Sequence, residues 1–125
     1  MAIDLARQYD AQLVITHCFE IPAYVYAGMA QTPVDVLGPI EAFARSELDR
    51  AVARAHEQHP GTRGELRSGS PADQIVTAAL RERADLVVMG THGRRGFAHL
   101  FLGSVAERVV RTSAVPVLTV PGKKP

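Results

Sequence analysis

The chain alternates between short apolar runs and longer amphipathic stretches, and this pattern predicts strands that alternate with helices. Apolar, β-branched runs at 12–18, 86–89 and 115–120 predict buried strands. Residues 62–68 are more polar, which favours an edge strand.

Four segments have the apolar spacing of helices that pack on one face. They are 1–9, a long helix from Pro39 to about residue 59, a helix that opens at Ser70 and Pro71, and 104–113. The predicted buried stripe of the long helix is Ile40, Phe43, Ala44, Leu48, Ala51, Val52 and Ala55. His56 and His59, near its end, are expected to face solvent. Residues 19–38 are rich in proline and glycine and predict a long loop.

Alternating strands and helices predict an α/β domain with an open, mostly parallel sheet. We expect one domain over residues 1–121 and a short tail over 122–125. Ligands of such sheets bind beyond the carboxyl ends of the strands, where the strand order reverses.

Composition narrows the functional classes. The length of 125 residues fits one domain, and the net charge of +1 does not favour nucleic acid or a membrane surface as partner. Cys18 is the single cysteine, so an internal disulfide is excluded and a thiolate metal cluster is not expected. No run approaches the ~20 apolar residues of a membrane span, and the first residues do not resemble a signal peptide. A soluble cytoplasmic protein is expected.

The segment from Gly90 to Ser104 carries the most specific chemistry. Gly90-Thr91-His92-Gly93 follows an apolar strand, and nine residues later Gly103-Ser104 opens a helix. Glycine lets main-chain N–H groups approach an anion closely, and the first N–H groups of a helix have no internal acceptor. The spacing differs from the dinucleotide fingerprint and from the Walker loop. A phosphate-binding loop is therefore predicted.

This loop and its surroundings resemble the universal stress protein family, in its subgroup with an ATP-binding signature. The likeness runs through Ala84–Gly93, Leu102–Val110 and Val115–Leu118, with Gly69–Ala72 resembling the turn before the preceding helix. It covers residues 1–121. The resemblance implies a doubly wound α/β fold of the adenine nucleotide alpha hydrolase type and, for this subgroup, ATP as ligand, with Mg²⁺ as an optional companion.

The resemblance also assigns roles to individual residues. The implied nucleotide-binding residues are Cys18, Met89, Gly90, His92, Gly93, Gly103, Ser104, Val105 and Ala106. The Cys18 main chain would meet the adenine edge and the helix start would hold the phosphates. Family members commonly dimerise through the last strand, here Val115, Val117, Leu118 and Val120.

One departure from the family pattern concerns the first strand. Members begin with a central strand that ends in an aspartate, whereas this sequence starts inside the helix that follows it. Three alternatives stay open: an upstream start, closure of the flanking strands, or a second chain in the gap. Without the aspartate, weaker ATP affinity is expected, because that side chain contacts the nucleotide in binding members.

Several side chains have competing interpretations. Ser104 contacts phosphate or caps its helix together with Glu107 in a Ser-x-x-Glu capping box. Arg94 and Arg95 neutralise phosphates or are solvated loop charges. Cys18 is expected to be a small core residue, not a reactive thiol. No metal site is predicted, because His92 and His99 have no cysteine or carboxylate at ligand spacing.

The function predicted from these features is an ATP-binding regulatory protein of the stress response, which acts as a nucleotide-dependent switch or homodimerisation module. No general base is evident, so at most weak ATPase activity is expected. The alternatives are an ATP hydrolase or phosphotransferase, and a dimerisation module that has lost nucleotide binding. The sequence does not identify a protein partner.

Overall fold

The structure, a computed structural model, describes residues 1–31, 35–91 and 102–122. Strands and helices alternate as predicted, and both strand pairs are parallel. The chain divides into two compact units, Ala2–Ser70, and Pro71–Pro125 together with Met1. Among the described residues, no helix has the length and apolar character needed to cross a bilayer.

The first unit holds one parallel strand pair and three helices. Its elements are α1 (Ala2–Gln8), β1 (Leu13–Phe19), α2 (Ala23–Gln31), α3 (Leu37–Gln58) and β2 (Thr62–Ser68). The register runs from Leu13 opposite Thr62 to Phe19 opposite Ser68. α3 packs on this pair so closely that a Cβ at Gly64 would lie 2.7 Å from Val52 Cγ2. Glycine at this strand position therefore allows the helix to approach.

The second unit repeats the arrangement with shorter strands. Its elements are α4 (Pro71–Arg81), β3 (Val87–Gly90), α5 (Ser104–Thr112) and β4 (Val117–Val120). β3 and β4 pair in parallel from Val87 opposite Val117 to Gly90 opposite Val120. The buried apolar residues of its two helices are Ala72, Ala78, Ala79, Ala106 and Val109. Because four of these five are alanines, α4 and α5 can pack closely.

Three predictions in the first unit are wrong. Part of the predicted loop 19–38 is the helix α2, since its prolines flank the stretch that holds Ala23, Ala27 and Ala30 instead of interrupting it. Phe43, predicted to be buried, is 62% exposed. The fully buried stripe of α3 consists of Ala44, Leu48 and Ala55, and Phe43 lies one residue, about 100° of helix rotation, away from it.

His59 also differs from its prediction, because it is buried. It follows the last residue of α3 in an extended conformation, with φ −147° and ψ 97°. Its Nε2 lies 2.6 Å from the carbonyl oxygen of Ala11, to which it donates. Thr62 Oγ1 in turn donates to the His59 carbonyl oxygen, at 2.6 Å. His59 therefore ties the end of α3 to the residues before β1 and to the first residue of β2.

The last strand begins two residues later than predicted and is therefore shorter. β4 begins at Val117, so Val115 lies outside it. The Val115 N–H donates to Ser113 Oγ at 3.1 Å, and the same hydroxyl donates to the Val115 carbonyl oxygen at 2.7 Å. This local side-chain turn competes with strand pairing for the main-chain groups of Val115.

Two helices end at residues with a left-handed backbone that are not glycine. Asp10 and Arg83 both have φ of 50°. Beyond them, Ala11 N donates to Ala6 O at 2.8 Å and Ala84 N donates to Ala79 O at 2.9 Å. These are the bonds of a Schellman cap, whose left-handed position favours glycine.

Replacing Arg83 with glycine is expected to raise the free energy of unfolding by about 1 kcal/mol, because the Cβ strain of the left-handed conformation disappears. Arg83→Ala is the matched control, since it removes the same charge but keeps the Cβ. Urea denaturation followed by circular dichroism measures both variants. If Arg83→Gly and Arg83→Ala are equally stable, the Cβ at residue 83 does not strain the backbone.

Gly64→Ala is expected to lower the free energy of unfolding by about 1–3 kcal/mol, because the added methyl group meets Val52 and Leu48. At Gly28 in α2 a Cβ meets nothing within 4 Å. Gly28→Ala should therefore be neutral or stabilising by up to about 1 kcal/mol. The same urea denaturation assay measures the stability of Gly64→Ala and Gly28→Ala. If Gly64→Ala does not lower the free energy of unfolding, α3 does not pack on β2 as closely as described.

Candidate functional site

The residues on either side of the predicted phosphate loop are joined by main-chain hydrogen bonds. Beyond the end of β3, Thr91 N donates to Val120 O at 3.0 Å, which extends the strand pair by one residue. The Thr91 carbonyl oxygen accepts from Gly103 N at 2.6 Å. The residue after β3 and the residue before α5 are thereby held together. His92, Gly93, Arg94 and Arg95 lie outside the described residues.

α5 begins one residue earlier than the capping-box interpretation requires, since that interpretation makes Ser104 the N-cap. Its first helical bond runs from Glu107 N to Gly103 O, at 2.9 Å, so Gly103 is the N-cap and Ser104 is the first helical residue. Gly103 takes the extended conformation of an N-cap, with φ −60° and ψ 159°. Glu107 does not reach back to Ser104 but accepts from Arg111 Nη1 at 3.2 Å. The capping-box interpretation is therefore wrong, because the Ser104 side chain does not cap α5.

The start of α5 offers a set of hydrogen-bond donors. The N–H groups of Ser104, Val105 and Ala106 precede the first helical bond, and the described residues provide no acceptor for them. The Ser104 side chain is exposed and adds a hydroxyl beside them. Because the helix dipole places partial positive charge at this end, these donors form an arrangement that suits an anion.

The charged side chains of α5 are engaged in ion pairs. Glu107, the acidic residue nearest the helix start, pairs with Arg111 one turn further along. Arg108 Nη2 lies 3.0 Å from Asp73 Oδ1 in the first turn of α4. The Arg111 charge partly offsets the negative charge that Glu107 would otherwise bring to an anion at the helix start.

In each strand pair, the direction of hydrogen bonding determines which main-chain groups stay available. Leu13 N donates to Gly61 O, and Phe19 O accepts from Gly69 N, so the odd-numbered residues of β1 face β2. Successive residues of a strand in a parallel pair bond to opposite sides. The N–H and C=O groups of Cys18 therefore point to the other edge of β1, where no strand pairs within the described part of the chain.

Gly90 has the same relation to its own strand pair. Val87 N donates to Pro116 O, and Thr91 N donates to Val120 O, so the odd-numbered residues of β3 face β4. The N–H and C=O groups of Gly90 thus point away from β4. At this edge the described strands again provide no partner. Both residues predicted to approach the ligand with their main chain have main-chain groups that the strand pair does not use.

The thiol of Cys18 is not poised for chemistry. Burial raises its pKa above the ordinary value; the Arg67 charge opposes this shift and the Glu65 charge adds to it. The thiol therefore stays neutral at neutral pH, whereas nucleophilic cysteines need a lowered pKa.

The structure thus brings five predicted residues together in the second unit: Gly90, Gly103, Ser104, Val105 and Ala106. Met89 lies next to Gly90 in β3, and Cys18 lies in the first unit. Sequence reasoning missed Thr91, which bonds both to Val120 and to Gly103. Its contribution comes from the main chain, so the residue type carried no signal.

Comparison with known proteins gives consistent results along the chain. The family model described as Universal stress protein family matches residues 1–121. Universal stress protein MJ0531 from Methanocaldococcus jannaschii is 32% identical over 124 residues, which cover 99% of this chain and 72% of that protein. A Thermus aquaticus relative, the universal stress protein in the QAH/OAS sulfhydrylase 3′ region, is 35% identical over 116 residues. These residues cover 92% of this chain and 81% of that protein.

Solved structures agree with this chain in fold. The structure of MJ0577 matches with a TM-score of 0.80 at 20% identity. The match covers 99% of this chain and 88% of the MJ0577 chain. A universal stress protein in complex with cAMP matches with a TM-score of 0.59 at 30% identity. The match covers 96% of this chain and 84% of that protein's chain. The Archaeoglobus fulgidus universal stress protein in complex with dAMP matches with a TM-score of 0.66 at 22% identity. The match covers 94% of this chain and 80% of that protein's chain.

Proposed function

Because this chain belongs to the universal stress protein family, we propose that it binds ATP and acts as a nucleotide-dependent regulatory protein in the cytoplasm. The observation that carries the proposal is the start of α5, where three main-chain N–H groups and the Ser104 hydroxyl lie beside the Thr91–Gly103 bond. Structures of universal stress proteins in complex with cAMP and with dAMP support an adenine nucleotide as the ligand.

The phosphates would bind at the start of α5. N–H groups that have no helical acceptor donate to phosphate oxygens without losing a bond, and the helix dipole adds to the attraction. Gly103 already donates its own N–H to Thr91, so the donors to phosphate would be those of Ser104, Val105 and Ala106. In this proposal Gly103 sets the position of the helix start.

The base and sugar would be recognised by main chain as well. An exposed N–H and C=O pair offers one donor and one acceptor, which matches the alternating donor and acceptor along the edge of adenine. In the first unit, Cys18 has such a pair on the open edge of β1. Met89 and Gly90 would contribute from β3. We propose that His92, Gly93, Arg94 and Arg95 complete the nucleotide site.

The regulatory role would follow from a difference in ATP affinity between two states of the protein. Within the described residues, the donors of the proposed site are main-chain groups and a hydroxyl, which bind phosphate but do not activate water. We therefore propose binding with at most slow hydrolysis, with Mg²⁺ as the counterion of the triphosphate. Nucleotide released on denaturing the purified protein would give direct support.

Ser104→Pro tests the phosphate site with little disturbance of the fold. Proline is favoured at the first helical position, and the extended Gly103 before it is compatible with proline. The variant loses one N–H and the hydroxyl, so ATP affinity should fall about tenfold or more. Isothermal titration calorimetry compares it with wild type and with Ser104→Ala, which loses only the hydroxyl.

A smaller loss is expected for Ser104→Ala than for Ser104→Pro, because its main-chain donor remains. Unchanged ATP affinity of the proline variant would place the phosphates elsewhere. Absence of any ATP binding by the wild-type chain would contradict the proposed function itself.

We further propose a homodimer formed by pairing of β4 with its copy. Pro116 O and Val120 O face β3, so the main-chain groups of Val117 and Thr119 point to the outer edge. Two copies related by a two-fold axis can pair such edges as antiparallel strands. Apolar side chains at Val117, Leu118 and Val120 would add to the contact.

Thr119→Pro should weaken this dimer, because it removes an outward N–H without removing a bond to β3. Thr119→Val is the matched control, which has a similar shape and keeps the N–H. Sedimentation velocity over a range of concentrations measures the dissociation constant of the dimer. Equal dissociation constants for the two variants would exclude pairing through this edge.

A further inference from the structure

Arg108 lies one helical turn beyond the start of α5, on the same side as Ser104. Residues four apart are neighbours on a helix surface, and four residues span about 6 Å along the axis. Helical side chains also lean toward the N-terminus of their helix. The long side chain of Arg108 can therefore extend toward the end of α5 where the phosphates are proposed to bind.

The guanidinium of Arg108 is held by a weak partner. Its Nη2 lies 3.0 Å from Asp73 Oδ1, and the two side chains are 49% and 58% exposed. Ion pairs between exposed side chains contribute little to stability, because water and salt screen them. A guanidinium binds phosphate oxygens with strong, frequently bidentate, charge-assisted hydrogen bonds. A phosphate within reach of Arg108 would thus compete well with one exposed carboxylate.

We infer, on the basis of the proposed nucleotide site, that Arg108 is a specificity-determining residue that exchanges Asp73 for the outer phosphates of the nucleotide. In the free protein the Asp73 carboxylate holds the guanidinium. In the complex the guanidinium binds phosphate, and the ion pair between α4 and α5 is broken. Arg108 then favours ATP over AMP, and nucleotide binding changes the contact between the two helices.

A purely structural role for the pair leads to a different expectation. If Asp73 and Arg108 only held α4 against α5, removal of either partner would disturb the start of α5 in the same way. Partner exchange instead predicts opposite effects. Loss of Arg108 removes a phosphate ligand, whereas loss of the Asp73 charge releases Arg108 and removes a repulsion.

Titration calorimetry with ATP and with AMP, on Arg108→Gln and Asp73→Asn, separates the two roles. Arg108→Gln should lower ATP affinity about tenfold and AMP affinity much less, since one charge-assisted contact is lost. Asp73→Asn should raise ATP affinity about two- to fivefold, the scale of an exposed ion pair. Arg81→Gln is the matched control: it removes an exposed arginine from the last turn of α4, at the opposite end of that helix from Asp73.

Three outcomes overturn the inference while leaving the proposed function intact, provided that the wild-type chain binds ATP. They are equal ATP affinities of Arg108→Gln and Arg81→Gln, a shift of the same sign in Arg108→Gln and Asp73→Asn, and equal losses for ATP and AMP. If the wild-type chain binds neither nucleotide, the proposed function and the inference both fail. Urea denaturation of each variant verifies that the fold is retained.

Discussion

Main-chain hydrogen bonding in parallel strand pairs is the constraint on which the candidate site depends. Each strand commits every second residue to its neighbour and turns the others to the opposite edge. Within the described part of the chain, this leaves the N–H and C=O of Cys18 in β1 and of Gly90 in β3 without a strand partner. Polar main-chain groups that lack a strand partner need another one. A further strand or a ligand can supply it.

The same logic explains why glycine and small residues matter more here than chemically active side chains. Gly103 serves as N-cap and donates its N–H to Thr91, which leaves three further N–H groups at the start of α5. In the first unit, Gly64 lets α3 approach β2, since a Cβ would collide with Val52. The one cysteine is partly buried, and its raised pKa keeps the thiol neutral. The described part of the site therefore offers main-chain donors and one hydroxyl to a ligand.

Much of this architecture could be predicted from sequence. The strands β1, β2 and β3 lie within one residue of their predicted bounds, and Pro71 begins α4 as proposed. These elements have strong local signals: apolar β-branched runs, or proline at a helix start.

The predictions that were wrong depend on contacts or on competition between neighbours. His59 is buried because the chain leaves α3 in an extended conformation that directs its ring to Ala11. Gly103 and Ser104 are both favourable N-caps, and the sequence alone could not decide between them. Pro22 and Pro33 are typical of a loop, but they flank α2 and do not interrupt it.

The bond from Gly103 to Thr91 has a consequence for how this family can diversify. It joins Thr91 and Gly103, the residues that flank 92–102, through main-chain atoms alone. Any residue can accept through its carbonyl oxygen at position 91, and any residue except proline can donate at position 103. Side chains at these two positions can therefore change among relatives while the bond between the end of β3 and the start of α5 is kept.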